Sequence, residues 1–287
     1  MTRKPLWLLA ALVATFLAYG ALNRPDAAQP ALWQVDGPNG QRAWLLGTIH
    51  ALPRPAAWQG GKVGKALEAS DRIVVEVAAL GDGAATAQAF EAVAHTPTLP
   101  PLDQRLAPDQ RPALMAALAR TGRAMADFGA TETWAAALML AKSEDAGDPA
   151  NGIDRAVLAA RGARPVEELE GAARQFAIFD QLPEAAQRRL LTEAIAVQSG
   201  NPEDLAIAWR KGDIAAIAAE TRKGMLADPV LREALNTGRN RAWAARISAM
   251  MAQGGKPFVA VGTAHLAGDD SLPAMLAARG YRVTRVQ

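Results

Sequence analysis

Short unbroken apolar runs near the two ends of the chain bracket a long middle in which apolar residues recur at helical spacing. Residues 32–36 and 42–47 are two such runs, separated by Gly37-Pro38-Asn39-Gly40. Asn39-Gly40 accepts the positive φ of a tight turn, so the pair reads as a hairpin. Arg72-Ile73-Val74-Val75-Glu76-Val77 lacks polar alternation, the mark of a strand buried on both faces. From 83 to about 162 the pattern is helical and alanine-rich, interrupted by a Pro-containing loop at 95–101 and a turn at 145–149. Residues 165–169 read as a strand, followed by helices over 171–181, 184–199, 202–210, 213–225 and 229–253. The chain closes with a strand at 258–262, a helix at 271–279 and a strand at 281–286. This order predicts an α/β (or α+β) fold: a mixed sheet built from N- and C-terminal strands, with a large helical insertion (about 83–162 and 184–253) between them.

Two of the apolar runs end alike. Trp44-Leu45-Leu46 leads into Gly47-Thr48-Ile49-His50, and Phe258-Val259-Ala260-Val261 leads into Gly262-Thr263-Ala264-His265. The chain has three histidines and this pattern takes two of them. A histidine just past a strand's carboxyl end lies where open α/β sheets place their ligands. Imidazole suits metal ligation and proton transfer near neutral pH, so the matched pair points to one shared site. Glu76 is the third candidate, because a carboxylate inside an apolar strand is costly to bury without a cation; the alternative is a strand end facing water. Two imidazoles and a carboxylate form an ordinary three-ligand set for catalytic zinc, manganese or cobalt.

Elsewhere, Leu231, Leu235, Arg239, Trp243 and Ile247 follow one another at i+4 and line one helix face. Arg239, beside Asn240, therefore points with apolar residues and requires an anionic partner, a cleft or snorkelling to solvent. In Asn151-Gly152-Ile153-Asp154, Asn151 reads as a helix cap and Asp154 as a first-turn carboxylate complementing the helix dipole, with a functional role as the alternative. Glu168 and Glu170 alternate along the strand at 165–169, where a solvated edge is the expectation and one of them reaching the site is the alternative. His95 reads as a surface loop residue. HExxH, GxSxG, a P-loop and a dinucleotide fingerprint are all missing from the sequence.

Arg3 and Lys4 precede an uncharged apolar run over 6–22, which predicts a signal peptide or signal-anchor over 1–22, a linker over 23–31 and the folded domain over 32–287. The protein is expected to be exported, either periplasmic or tethered through 6–22 to the inner membrane facing the periplasm. Without residues 1–20, basic groups fall from 31 to 29 against 29 acidic, so the exported part is formally neutral. It lacks a basic stretch interleaved with aromatics, and nucleic-acid binding has no support. There is no cysteine, so any metal must be held by nitrogen and oxygen.

These residues, in this order, resemble the TraB/PrgY/GumN family, which is related to the Tiki metalloproteases. The matching pieces are 45–53 with its GTIH, the strand with Glu76, Gly152-Ile153-Asp154, the stretch 164–175 containing Leu169-Glu170, Arg239-Asn240-x-x-Trp243, and 259–268 with its GTAHL. The resemblance implies a metal-dependent hydrolase site built from His50, His265 and Glu76, with Arg239 and Asn240 nearby. Related members cleave peptides near the amino terminus of a secreted signalling protein; others are described as pheromone-shutdown proteins or sit in polysaccharide gene clusters. Many relatives carry a second acidic residue two positions after the glutamate, where this chain has Ala78. The expectation is an exported peptidase-like hydrolase using a divalent ion (Mn, Co or Zn). Glu76 would act as ligand or base, Arg239 and Asn240 would steady the developing charge, and a peptide or protein would be the substrate. A non-catalytic exported or membrane-tethered binding protein for a peptide or glycan is the alternative.

Overall fold

The computed structural model describes residues 25–79, 82–141, 147–196 and 202–287. The predicted signal run at 6–22 lies outside the described residues. No helix among the described residues is long and apolar enough to cross a membrane.

The strands are β1 (Asp26–Ala27), β2 (Leu32–Asp36), β3 (Arg42–Thr48), β4 (Ala56–Ala57), β5 (Arg72–Val75), β6 (Val166–Glu168), β7 (Pro257–Gly262) and β8 (Arg282–Arg285). Six of them form one mixed sheet in the order β6-β5-β7-β3-β2-β8, while β1 and β4 pair separately. Strands β6, β5, β7 and β3 run parallel, and β2 and β8 complete the sheet through antiparallel pairings. The sheet thus joins the two ends of the chain, as the apolar runs predict. The β2–β3 hairpin turns where expected, with Gly40 at φ +78°.

Alternation along the strands explains why they read as continuous apolar runs. Leu45, Val74, Val259 and Val261 face a core that includes Trp243, Ile247 and Met251 of the helix Gly238–Ala252. Trp44, Leu46, Ile73, Val75, Phe258 and Ala260 face the opposite core, closed by Val63, Val157 and Trp209. Both faces are covered, so both residue sets must be apolar. The helical middle has its own core, where Leu114, Leu118, Phe128, Trp134, Leu140 and Leu190 pack with Leu231 and Leu235.

Two local expectations are corrected. The strand carrying Glu76 ends at Val75, which leaves Glu76 just past its carboxyl end rather than inside it. The helix at 229–253 is not one regular stripe: Pro229–Arg232 passes through a π turn at Glu233–Thr237 into Gly238–Ala252. That turn breaks the i+4 row, so Leu231 and Leu235 join the helical core while Trp243 and Ile247 join the sheet core. Such π turns inside α-helices recur at functional sites, and Arg239 follows this one closely.

Candidate functional site

The four parallel strands deliver chemistry at one edge. Thr48 ends β3, Glu76 follows β5, Glu170 lies two residues past β6, and Gly262 ends β7. The two GTxH motifs lie side by side, with Thr48 paired to Gly262 across the β3–β7 ladder. Their contact explains the first glycine: a Cβ on Gly47 would stand 2.5 Å from Thr263 Oγ1 and 3.2 Å from the Thr263 backbone. The two motifs can approach this closely only where one carries no side chain.

His50 is presented by a second constellation. Its Nδ1 lies 2.8 Å from Asp154 Oδ2, and Thr48 Oγ1 donates to Asp154 Oδ1 at 2.5 Å. The carboxylate is buried while the imidazole it holds is 79% exposed. The Asp154 hydrogen bond raises the imidazole's pKa against the opposing effect of desolvation. Burial pushes the Asp154 carboxyl up, but the His50 and Thr48 hydrogen bonds bring it below its usual range. Asp154 lies in the first turn of Ile153–Ala159, as expected, and from there also holds His50; the residue at the cap is Gly152 rather than Asn151, which donates instead to the Leu52 carbonyl at 3.2 Å. A Cβ on Gly152 would overlap the His50 carbonyl oxygen, so glycine is what lets this helix start pack against the His50 backbone.

The other half of the site centres on Arg239. Its Nε donates to both Glu170 oxygens at 3.0 and 3.1 Å, and its Nη2 donates to Glu170 Oε2 at 2.8 Å and to Glu76 Oε2 at 2.6 Å. Nη1 donates to the Leu235 carbonyl at 3.1 Å and meets His265 Nε2 at 3.2 Å. The guanidinium can only donate, so His265 Nε2 is the acceptor and the ring proton sits on Nδ1, which faces Asn240 Oδ1 at 2.7 Å. Asn240 agrees with this tautomer, because its Nδ2 donates to Asn236 Oδ1 and to the Asp270 carbonyl. Burial pushes the His265 pKa down to about 4, so this ring is neutral at ordinary pH.

Glu76 is almost wholly enclosed. Burial alone pushes its carboxyl up; the His265 ring, the Arg239 guanidinium and the Gly262 N–H, which donates to Oε1 at 2.7 Å, outweigh that and hold it below its usual range. With His265 neutral, Arg239 supplies the persistent positive charge. Glu170 corrects the solvated-edge expectation: its side chain is 4% exposed and also accepts the Trp243 Nε1 proton at 3.0 Å. Glu168 likewise turns inward, its Oε1 accepting the Ala78 N–H at 2.6 Å, so a carboxylate borders Ala78. Arg239 does not snorkel; it lies 4.6 Å over the Trp243 ring. Asn240 is fully buried, with its polar atoms spent on His265, Asn236 and Asp270. His95 is exposed and pairs with Glu91, apart from the site.

The donors suit a divalent ion in kind. Each imidazole has its Nδ1 fixed by an oxygen, the device that orients metal-binding histidines, which leaves Nε2 as the ligating atom. However, among the described residues no three histidine or carboxylate groups converge in a metal-holding arrangement. Arg239 engages His265 Nε2 at 3.2 Å and Glu76 Oε2 at 2.6 Å. Beside Arg239 and Glu170 opens a cleft of about 850 Å³, walled by Ala177, Ile178, Leu182, Val230 and Ala234, with Arg174 also lining it.

A model of the TraB/PrgY/gumN family matches residues 31–285, which takes in every site residue above. The chain belongs to the TraB/PrgY/gumN family. Among its relatives are the proteins described as "Uncharacterized protein YbaP" from Shigella flexneri and from Escherichia coli (strain K12). Each is 28% identical over 271 residues, covering 90% of this chain and 96% of the relative. No solved structure matches.

Proposed function

We propose that this TraB/PrgY/gumN family member is an exported, metal-dependent hydrolase of peptide bonds. The observation that carries the reading is the paired orientation of the imidazoles: Asp154 fixes His50 Nδ1 and Asn240 fixes His265 Nδ1, at the carboxyl edge of neighbouring parallel strands. His50 and His265 would hold the ion through Nε2, with Glu76 as a carboxylate ligand or as the base that takes a proton from the attacking water. A divalent ion supplies Lewis acidity, which polarises a carbonyl and makes water nucleophilic at neutral pH. Glu76 suits either role because its surroundings keep it ionised. Arg239, clamped by Glu170, sets a fixed positive charge beside the cleft, where it can stabilise negative charge developing on a carbonyl oxygen. Asn240 acts one step back, as a positioning residue for His265. The cleft walls combine apolar residues with Glu170, Arg174, Glu233 and Arg239, and the helical middle is rich in alanine and poor in aromatic platforms, which favours peptides over glycans. The basic and apolar start of the chain, Arg3, Lys4 and 6–22, supports export.

A second reading is a binding protein that sequesters a peptide in the same cleft without turnover. It is favoured by one observation: Glu76 and His265 are already satisfied by Arg239 and Gly262. Metal analysis of the purified protein, followed by peptide-library cleavage with and without chelator, separates the two. Cleavage that requires Mn²⁺, Co²⁺ or Zn²⁺ and is lost in His50→Ala and His265→Ala supports the hydrolase. Peptide binding without cleavage under any of these ions overturns it in favour of the binding protein.

A further inference from the structure

Four charged residues line the cleft, and three of them are already paired. Glu170 and Arg239 hold each other, and Glu233 accepts from Arg241 Nη1 at 2.9 Å. Arg239 has all five N–H bonds engaged, by Glu170, Glu76, His265 and the Leu235 carbonyl, and has none left for a ligand's carboxylate. Arg174 is the fourth. It makes no hydrogen bond or ion pair among the described residues. Nor does its own helix account for it. Arg174 sits in the first turn of Ala172–Asp180, where a cation opposes the helix dipole, and its neighbours at i+3 and i+4 are Ala177 and Ile178.

Arg174, Ala177, Ile178 and Gln181 fall at i, i+3, i+4 and i+7, so one face of this helix turns to the cleft. Phe176 and Phe179, on the opposite face, stack on Trp134 and fix the helix to the core of the helical middle. The cleft face thus reads cation, apolar surface, amide. Its seven-residue span is about 10 Å along the helix axis, roughly the reach of three extended residues. The Gln181 amide is also free of side-chain hydrogen bonds among the described residues. Resting on the reading of the cleft as a peptide's place, we propose that Arg174 determines which peptide enters: a short apolar segment that carries a carboxylate. The guanidinium offers paired N–H bonds in the geometry a carboxylate accepts. An apolar side chain of the same segment lies on Ile178 and Val230, and its backbone comes within reach of Gln181. The carboxylate end is the end nearer Glu76, because Gln175, the residue after Arg174, donates to Glu76 Oε2 at 3.4 Å.

The test is calorimetric titration of peptides into the chelator-treated full-length protein, so that binding is read apart from turnover. The probes are an N-acetylated tripeptide of alanine and leucine as the free acid, the same tripeptide as its C-terminal amide, and an amide that ends in glutamate. The free acid should bind tighter than the neutral amide by about tenfold or more, the equivalent of one charge-assisted hydrogen bond. Arg174→Gln should bring the free acid down to the level of the neutral amide and leave the amide where it was, while Arg174→Lys should recover part of the difference. Arg174 is exposed and unpartnered among the described residues, so both variants should keep the wild-type Tm. Arg155→Gln removes an exposed cation that does not line the cleft, and should change nothing. Tight binding of the glutamate-ending amide places the recognised group on an acidic side chain, and preference for the free acid places it at the chain terminus; either supports the proposal. Equal affinity for acid and neutral amide, or no loss in Arg174→Gln, overturns it and leaves the cleft as the peptide's place. An equal loss in Arg155→Gln also overturns it, because the effect is then one of general charge. Octanoate binding as tightly as the free acid overturns a peptide as the occupant. No binding of any probe overturns both the proposal and the peptide reading.

Discussion

Gly152→Ala is a one-methyl change whose effect can be worked from geometry. Gly152 sits at φ −63° and ψ 138°, which any L-residue adopts freely, so backbone strain plays no part. Space is the obstacle. The added Cβ would overlap the His50 carbonyl oxygen and stand 2.9 Å from the His50 carbonyl carbon and 3.0 Å from the Pro149 oxygen. All three are backbone atoms that no rotamer change can move. Relief requires the start of Ile153–Ala159 to move off the His50 loop by roughly 0.5–1 Å, an overpacking cost of about 1–3 kcal/mol. For a domain of this size that corresponds to a Tm lower by roughly 3–10 °C. The same displacement would stretch the 2.8 Å His50–Asp154 contact towards the limit of hydrogen bonding. The expected result is a lower Tm by calorimetry together with a His50 pKa that falls back towards 6.5 in an NMR titration of the chelated protein. Gly60→Ala is the control: it also has ordinary angles and nothing within 4 Å of its Cβ, so its effect should stay within about 0.5 kcal/mol. Wild-type Tm and an unmoved His50 titration in Gly152→Ala would refute the steric reasoning.

Further outcomes are expected from the same contacts. His265 is neutral and buried with its pKa at about 4 in the fold, against 6.5 when unfolded. Its contribution is therefore complete above pH 6.5 and is lost as pH falls towards 4, by about 3 kcal/mol at most. Urea unfolding of the chelated protein between pH 7 and 4.5 should show this slope, and His265→Gln should flatten it; an unchanged slope in the variant contradicts the burial argument. His50 has the opposite sign, its raised pKa favouring the fold below 6.5 and losing that effect as pH rises through the folded value. Arg239→Met alone leaves Glu76 and Glu170 buried without their cation and should cost about 3–5 kcal/mol in urea, with Glu170→Gln recovering part of it. Ala177→Trp fills the cleft and should weaken peptide binding or raise KM by on the order of tenfold, with ion affinity unchanged; wild-type peptide kinetics would exclude the cleft as the substrate's place.

Much of the sheet is legible in the sequence because its strands are covered on both faces. Polar alternation gives way to apolar runs such as Ile73-Val74-Val75, which suit a buried strand. The hairpin is legible for a local reason, since Asn39-Gly40 fixes the turn and with it the Asp36–Arg42 register. The two GTxH motifs are legible as a pair, and their adjacency follows once β3 and β7 are neighbours.

What stays hidden depends on contacts between distant segments. Asp154 has every local mark of a first-turn carboxylate, yet its partner lies 104 residues away and is reached only because Gly152 lets the backbones touch. Glu170 looks like an edge residue while the period of two is extended past β6. The strand stops at Glu168, and Gly171 at φ +81° redirects the chain so that Glu170 turns inward. Arg239 stands out in the sequence as a charge on an apolar stripe, but the π turn that aims it has no signature in residue spacing. The glycines at 152 and 171, each close to an acidic position, are the local signal that favours the functional alternative for both carboxylates.

The most direct measurement is the metal content and ion affinity of the full-length protein beside its His50→Ala and His265→Ala variants, by elemental analysis and calorimetry. A shared site predicts one Mn²⁺, Co²⁺ or Zn²⁺ per wild-type chain and loss of that ion in either variant, with the fold intact by circular dichroism. Unchanged uptake after either replacement would contradict it, because the two histidines would then not hold a common ion.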